Sequence, residues 1–496
     1  MADSFSKFAF SPTVAIARTP SCVYPSIEDS APNPVSDALS RLASSLEWAD
    51  ESSPFGRVIP PGARVLIKPN LVLHKNDDPR FPGQAGLDCV ITHASLIRAA
   101  AEAALRTGAA EVLVGDAPIQ GCDFESLIAA TGLDKWAHDL RAREPRFKGL
   151  RDFRRTTCVL VHGVRVAAEN LQSEDRFTLF DLGRDSLLEP ISTADHRFRV
   201  AWYDHRLMAK THHPGKHQYL VAREVVEADV LINLPKLKTH KKAGVTCALK
   251  NLIGINGNKE YLPHHRIGSP KTGGDNYPDN GTIKRAIEFI SDQQNITTSY
   301  ASGLVWHLFF ALLVRASRAK GDRVGLDGSW SGNDTIWRTC LDLNRILLYG
   351  RADETNGDGI MTEQMQRRVI HIADAIVAGQ GNGPLAPEPL EMGLLLGSNN
   401  AAAMDWVGAQ LLLYDPEKIS LMRHAFDSFH WPLANFSSAH VTLIGDLGTG
   451  ASSALLEKSD GCVNHPVGWR DAARVSRDCT EEEQRGQLAS VDPTDA

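Results

Sequence analysis

Residues 228–266, ADVLINLPKLKTHKKAGVTCALKNLIGINGNKEYLPHHR, constrain this chain more than any other stretch. The largely apolar run 230–234 reads as a central strand of a parallel sheet, the kind buried on both faces. Asn233, Lys236, Lys238, His240, Lys241 and Lys242 come at its carboxyl end, the edge where open α/β sheets form their ligand crevice. Pro235, Gly244, Gly254 and Gly257 interrupt the basic residues, so turning backbone can aim several side chains at one point. Judged by spacing alone, such a loop serves equally well as solvated surface. The charge asymmetry tips the balance: residues 236–271 carry eight Lys or Arg against a single acid, Glu260, in a chain of net charge −7. Uncompensated positive charge in a crevice focuses field on carboxylate or phosphate. The expected partner is therefore a small anionic metabolite. Nucleic acid is excluded, because Tyr261 is the one aromatic interleaved with these cations.

Around this segment the strand–loop–helix rhythm of a doubly wound sheet repeats. RVLI at 64–67 leads into Lys68, Pro69 and Asn70, and a helix follows over 93–104. EVLVG at 111–115 ends at Asp116, with a helix over 123–131 that Asp123 caps. Residues 158–161, 177–181, 197–202 and 218–221 read as short antiparallel pieces. Helices are predicted between 284 and 328 and over 330–349. A strand over 368–376 feeds a glycine-rich loop, GQGNGP at 379–384, and a strand over 392–396 precedes a helix containing Asp405. The predicted class is α/β with a doubly wound, mostly parallel sheet. Its predicted organisation is an irregular lead-in over 1–55, a first α/β domain over 56–225 with an antiparallel insertion at about 150–220, a second over 226–467 that holds the crevice, and a disordered tail over 468–496.

With 43% hydrophobic and 23% charged residues, the 496-residue chain has ordinary globular composition and length for two packed domains. The eight cysteines stand singly, with no C-x-x-C for zinc or an iron–sulfur cluster, which suits eight free thiols in a reducing compartment. The N-terminus lacks a basic segment followed by a long apolar one, so a cytoplasmic location is expected. The most apolar run, LVWHLFFALLV at 304–314, is shorter than a bilayer span. It is read as a buried helix or the lining of a partner interface, with no membrane expected and a homo-oligomer left open.

Four strand-to-loop junctions present polar groups: Lys68 and Asn70; Asp116; Asn233 through His240; and Asp374 followed by GQGNGP with Asn382. In a parallel sheet all of these lie on one edge, so distant residues can share a site. Any one of them alone is more simply a cap or turn former. His240 and Lys250 stand ten residues apart, with His264 and His265 beyond. A lysine desolvated near other cations becomes a base or nucleophile, and histidine serves as acid, base or metal ligand. DETNGDGIMTE at 353–363 lacks the closing glutamate of a calcium loop, because with Gly359 at the sixth position the twelfth is Met365.

VLIKPN at 65–70, VGDAP at 114–118, INLPKLKTHKKAGVTCALKNLIG at 232–254, IADAIVAGQGNGP at 372–384 and AAAMDWVGAQLL at 401–412 together resemble the family called domain of unknown function 362. Relatives in that family often append an iron–sulfur module, for which this chain has no cysteine cluster. The segment 224–254 followed by His264 and His265 is also distantly similar to the lactate racemase superfamily. That resemblance implies His240 as an acid–base group, Lys250 as the anchor of a nickel-pincer nucleotide and a later histidine as nickel ligand. Two features depart from it: no glycine-rich run precedes Lys250, and Asp116 stands where the racemases carry a histidine.

The expected function is an enzyme acting on a small carboxylate or phosphate metabolite by proton transfer or metal-assisted chemistry, racemase- or isomerase-like. The alternative is a non-catalytic anion- or cofactor-binding protein. His240, Lys250 and Asp116 are the expected catalytic residues. Lys68, Asn70, Asn233, Lys236, Lys238, Asn251 and Asn382 are expected to hold substrate, with His264, His265, Asp374 and Asp405 as ligands to a possible divalent metal.

Overall fold

The computed structural model describes residues 8–161, 164–297, 299–322, 324–456 and 461–474. Its centre is one mixed sheet of 11 strands. In chain order these are β1 (Thr13–Arg18), β2 (Arg64–Pro69), β3 (Glu111–Asp116), β4 (Phe147–Asp152), β5 (Val230–Leu234), β6 (Lys236–His240), β7 (Gly244–Thr246), β8 (Arg368–Asn382), β9 (Ala386–Ser398), β10 (Thr442–Gly445) and β11 (Gly450–Ala451). The helices used below are α1 (Pro34–Ser45), α2 (Ala94–Arg106), α3 (Thr282–Ile296), α4 (Tyr300–Ala319), α5 (Ile336–Tyr349) and α6 (Ala401–Leu411).

The strand order is β11-β10-β1-β9-β8-β5-β2-β3-β4, with β6 added beside β8 and β7 beside β6. From β8 to β4 every neighbour is parallel, and β9 turns back antiparallel on β8. The class is α/β with a mostly parallel sheet. All five residues of β5 are buried, and the strand lies inside the sheet, with β2 on one side and β8 on the other. Burial of Val230, Leu231, Ile232 and Leu234 stabilises the strand by about 1.5–3 kcal/mol per side chain. Strands from either side of the predicted boundary at 225/226 lie next to each other in this sheet, since Asn233 of β5 pairs with Lys68 of β2.

Several expectations are corrected. The lead-in is not irregular: β1 sits inside the sheet, and α1 is a capped helix with Pro34 in its first turn and a reciprocal Asn33–Ser36 capping box. Residues 379–382 are not a loop but the end of β8, which is held to Asn382 by its ladder with β9. Residues 236–240 are likewise a strand; Pro235 breaks the chain only briefly before β6 pairs with β8 and β7. The tail is packed as far as residue 474, with Trp469 buried and its Nε1 donating 2.6 Å to the carbonyl of Lys241; residues 475–496 lie outside those described. Cys462 is disulfide-bonded, so the eight cysteines are not all free thiols, whereas Cys22, Cys89, Cys122, Cys247 and Cys340 are free.

The antiparallel insertion is present as a hairpin, Thr156–Val161 with Val164–Asn170, and as the pairing of Phe177–Asp181 with Lys216–Ala222. The apolar run at 304–314 belongs to α4, which is 20 residues long and so reaches the length and composition of a membrane span. It is not a buried helix: Val305, Leu308, Phe309 and Leu312 are each more than half exposed.

Candidate functional site

A cavity of about 470 Å³ opens where the strands β2, β3 and β6 end. Parallel strands share one carboxyl edge, so Asn70 after β2, Asp116 at the end of β3, and Lys238 and His240 on β6 reach it from three places in the sequence. Lys250 and Asn251 come from the short helical turn Ala248–Asn251, His264 from the segment beyond it, and Asn382 from the end of β8. Eight of the predicted site residues therefore line one cavity.

A chain of side-chain amides holds its floor. Lys238 Nζ donates to Asn70 Oδ1 at 3.0 Å, Asn70 Nδ2 to Asn251 Oδ1 at 2.9 Å, and Asn251 Nδ2 to Asn233 Oδ1 at 2.7 Å. Asn233 Nδ2 completes the chain by donating to the carbonyl of Ala248 at 3.0 Å. Asn233 thus supports the site from behind rather than lining it. Asp405 also acts from behind, accepting from the backbone amides of Ala248 at 2.6 Å and Leu249 at 3.1 Å and so fixing the turn that carries Lys250. Burial pushes the Asp405 carboxyl up to about 7.

Asp116 lies 2.6 Å from Lys68 Nζ in a buried ion pair and accepts from the Leu71 amide at 2.6 Å. Burial pulls the Lys68 ammonium down and pushes the Asp116 carboxyl up, while their pairing opposes both shifts. Lys68 is fully buried beneath Asp116 and does not line the cavity. The backbone of Gly254 packs against this pair, where a Cβ would fall 2.1 Å from Asp116 Oδ1 and 2.8 Å from Lys68 Nζ. Asp116 is thereby charge-compensated, and the cavity keeps its cationic character.

The lysines on the wall differ in what they can offer. Lys238 Nζ is taken by three internal acceptors, Asn70 Oδ1, the Val90 carbonyl and the Pro384 carbonyl at 3.4 Å, so its ammonium gives a ligand field rather than a direct bond. Burial pulls it down to about 7. Lys250 Nζ makes no hydrogen bond or ion pair among the described residues. Burial lowers its affinity for a proton, and the charges of Lys242 and Lys68 add to that effect. The buried hydroxyl of Thr246, on the same wall, is also without a partner among the described residues.

The two histidines of the cavity are held in opposite tautomers. His240 Nδ1 accepts from the amides of Lys242 at 3.0 Å and Ala243 at 3.2 Å, so its proton resides on Nε2. His264 Nδ1 lies 2.7 Å from the Leu262 carbonyl and must carry the proton, which leaves Nε2 as a bare acceptor. Neither Nε2 has a hydrogen-bond partner among the described residues. Burial and the surrounding lysine charges hold both rings neutral.

The predicted metal ligands are not brought together. His265 faces a separate small cleft beside Arg199, Glu288 and Asp292. Asp374 forms a fully buried pair with Lys236 at 2.7 Å, and Tyr24 donates to it at 2.6 Å. Lys236 is thereby a structural group away from the cavity. Among the described residues no three His, Cys, Asp or Glu side chains form a metal-binding group.

Lys242, named with the basic block but given no role there, also lines the wall, as do Asn256, Asn258, Arg154 and Trp202, which the sequence reading passed over. Asn256 and Asn258 carried a signal, since INGN follows directly on the basic block. Arg154 and Trp202 carried none, because the antiparallel insertion brings them in from outside that block. Arg154 pairs with Asp152 and donates to the carbonyls of Ile119 and Cys122, which closes one side.

A family model described as domain of unknown function (DUF362) matches residues 65–173 and 190–410. A protein of Synechocystis named as a thylakoid-associated protein is 22% identical over 386 residues, covering 78% of this chain and 74% of its own length. A crystal structure of a Thermotoga maritima protein is similar with a TM-score of 0.30 at 11% identity, covering 72% of this chain and 53% of that one. The chain thus spans about half of that protein's length, and a score of this size does not establish a common fold.

Proposed function

The chain belongs to the DUF362 family, and from that premise we propose that it is an enzyme acting on a small carboxylate- or phosphate-bearing metabolite by proton transfer. The opposite tautomers of His240 and His264 on one cationic cavity carry this reading. The bare Nε2 of His264 can take a proton from the substrate and return it, while the Nε2–H of neutral His240 donates a hydrogen bond to the negative charge that develops as the proton leaves. Lys250 supplies the free cation for the substrate's anionic group, Lys238 adds to the positive field around it, and Lys68 cancels the charge of Asp116. Racemisation or isomerisation next to a carboxylate fits this set of groups.

The test substitutes His240→Asn and Lys250→Met separately and follows both binding and turnover with candidate 2-hydroxy acids and sugar phosphates. An enzyme loses turnover in His240→Asn while the anion still binds. A binding protein loses only affinity, and only in Lys250→Met.

A cofactor-anchoring reading has one specific support, the unpartnered Lys250 amine on the same cavity as the bare Nε2 of His264. A nickel-pincer nucleotide tethered at Lys250 would supply hydride-type chemistry there. Mass mapping of Lys250 in protein from its native host tests it, and an unmodified lysine removes it.

For location we propose a membrane surface: the Synechocystis relative is named for its thylakoid association, and α4 carries an exposed apolar stripe.

A further inference from the structure

The described residues contain 13 large hydrophobic side chains that are exposed, and six of them sit on the α3–α4 helix pair: Phe289, Tyr300, Val305, Leu308, Phe309 and Leu312. Val305, Leu308, Phe309 and Leu312 are spaced i, i+3, i+4, i+7, so they form one continuous stripe. Their exposures of 51%, 62%, 52% and 63% are far above what a stripe facing the protein core would show. The opposite side of α4 is anchored, because Gly303 lets Val164 of the insertion hairpin pack onto the helix backbone, where a Cβ would come within 2.5 Å. The stripe therefore points away from the body as a fixed feature.

Charge is segregated on the same pair. Every acid between residues 282 and 322 is turned inward and engaged: Glu288 with the Gly268 amide and Asn276, Asp292 with Arg199, and Asp322 with Lys284. The exposed charges are Arg285, Arg315, Arg318 and Lys320, all positive, and the last three cluster at one end of α4. The same pair offers a second copy no free carboxylate to meet these cations, since each acid within it is already engaged. An apolar stripe rimmed by cations is the pattern of a helix lying in the interface of an anionic bilayer.

We propose that the exposed face of the α3–α4 pair docks the protein peripherally on an anionic lipid bilayer, with Leu308, Phe309 and Leu312 entering the acyl boundary and Arg315, Arg318 and Lys320 meeting the headgroups. This specifies the membrane location proposed above and is independent of the cavity's chemistry. The helix lies on the bilayer rather than crossing it, because α4 stays packed on α3 and on the insertion hairpin.

The test is co-sedimentation of the full chain with vesicles of phosphatidylcholine alone and of equimolar phosphatidylcholine and phosphatidylglycerol. The expected result is binding to the second that falls at least tenfold in Leu308→Asp/Leu312→Asp. These positions are exposed, so the double variant keeps the thermal midpoint of the parent. Arg315→Glu/Arg318→Glu is expected to weaken binding to the anionic vesicles by about fivefold or more per charge. Lys250→Met is expected to bind the vesicles as the parent does, so failure of the catalytic reading leaves this result untouched. Absence of binding to the anionic vesicles overturns the proposal. Equal binding by parent and Leu308→Asp/Leu312→Asp also overturns it. So does a dimer that dissociates in that variant without any vesicle binding, which would assign the stripe to a second copy.

Discussion

Lys250→Met and Lys238→Met are the same chemical change at two lysines on one cavity wall, and they are expected to move stability in opposite directions. Lys238 Nζ serves three acceptors, Asn70 Oδ1 and the carbonyls of Val90 and Pro384. Removing it strands those buried groups, and each unsatisfied one costs about 1–3 kcal/mol. Lys250 Nζ serves none among the described residues, so its removal strands nothing and relieves the cost of holding an amine away from water. A methionine of similar volume then fills the space, with a rise in Tm of about 2 °C. Function moves the other way. A charge-assisted hydrogen bond from Lys250 to a bound anion is worth about 1.5–3 kcal/mol, so affinity for inorganic phosphate falls about 10- to 150-fold.

Differential scanning fluorimetry and titration calorimetry read the two effects on the same samples. The pH dependence supplies a third sign. Burial depresses the proton affinity of Lys250 in the folded chain, so between that value and the ordinary 10.5 the unfolded chain binds more protons. Stability of the parent relative to Lys250→Met therefore rises with pH across that window, and falls as pH drops through the folded value. Anion affinity, which needs the protonated amine, declines as pH rises through the same value. A Lys250→Met variant less stable than the parent by 2 °C or more would refute the reasoning, because it would mean that the amine has an internal partner.

Other consequences can be checked separately. Gly254→Ala places a methyl group 2.1 Å from Asp116 Oδ1, and the overpacking should cost about 1–3 kcal/mol with a matching loss of Tm; an unchanged midpoint would show that the ion pair can move aside. His264→Gln removes the bare Nε2 while keeping an amide that can meet Leu262, so turnover should fall about 100-fold or more with anion affinity within a factor of three, as read by steady-state kinetics and calorimetry. Asp405→Asn keeps one acceptor for the Ala248 amide but sets a second donor against Leu249, and should lower stability by about 1–3 kcal/mol in thermal denaturation.

Much of the architecture is legible in the chain. Alternating apolar runs and helical periods carry the strands β2, β3 and β5 and the α/β class, because burial on a parallel sheet leaves continuous apolar stretches. The edge rule then gathers Asn70, Asp116, Lys238 and His240 from the sequence alone. The cation-rich stretch at 236–271 likewise announces a charged cavity.

What the sequence does not carry is the direction of individual side chains. Lys236 and Lys238 are two residues apart on one strand and read alike, yet one is consumed by Asp374 and Tyr24 in the core while the other borders the cavity. The register of β6 against β8 slips between those two lysines, whereas His264 and His265 are sequence neighbours that diverge by alternation along the chain and end in different clefts. The tautomers of His240 and His264 are set by backbone groups at fixed angles, which composition and spacing do not encode. The fate of α4 is decided the same way: its apolar run determines that it is a helix, but only the packing of α3 and the insertion hairpin leaves its stripe turned outward. Sequence by itself determined which groups gather at the sheet edge, through periodicity and charge. Tertiary structure alone decided which of them are free to act, because that depends on which neighbour reaches each polar atom first.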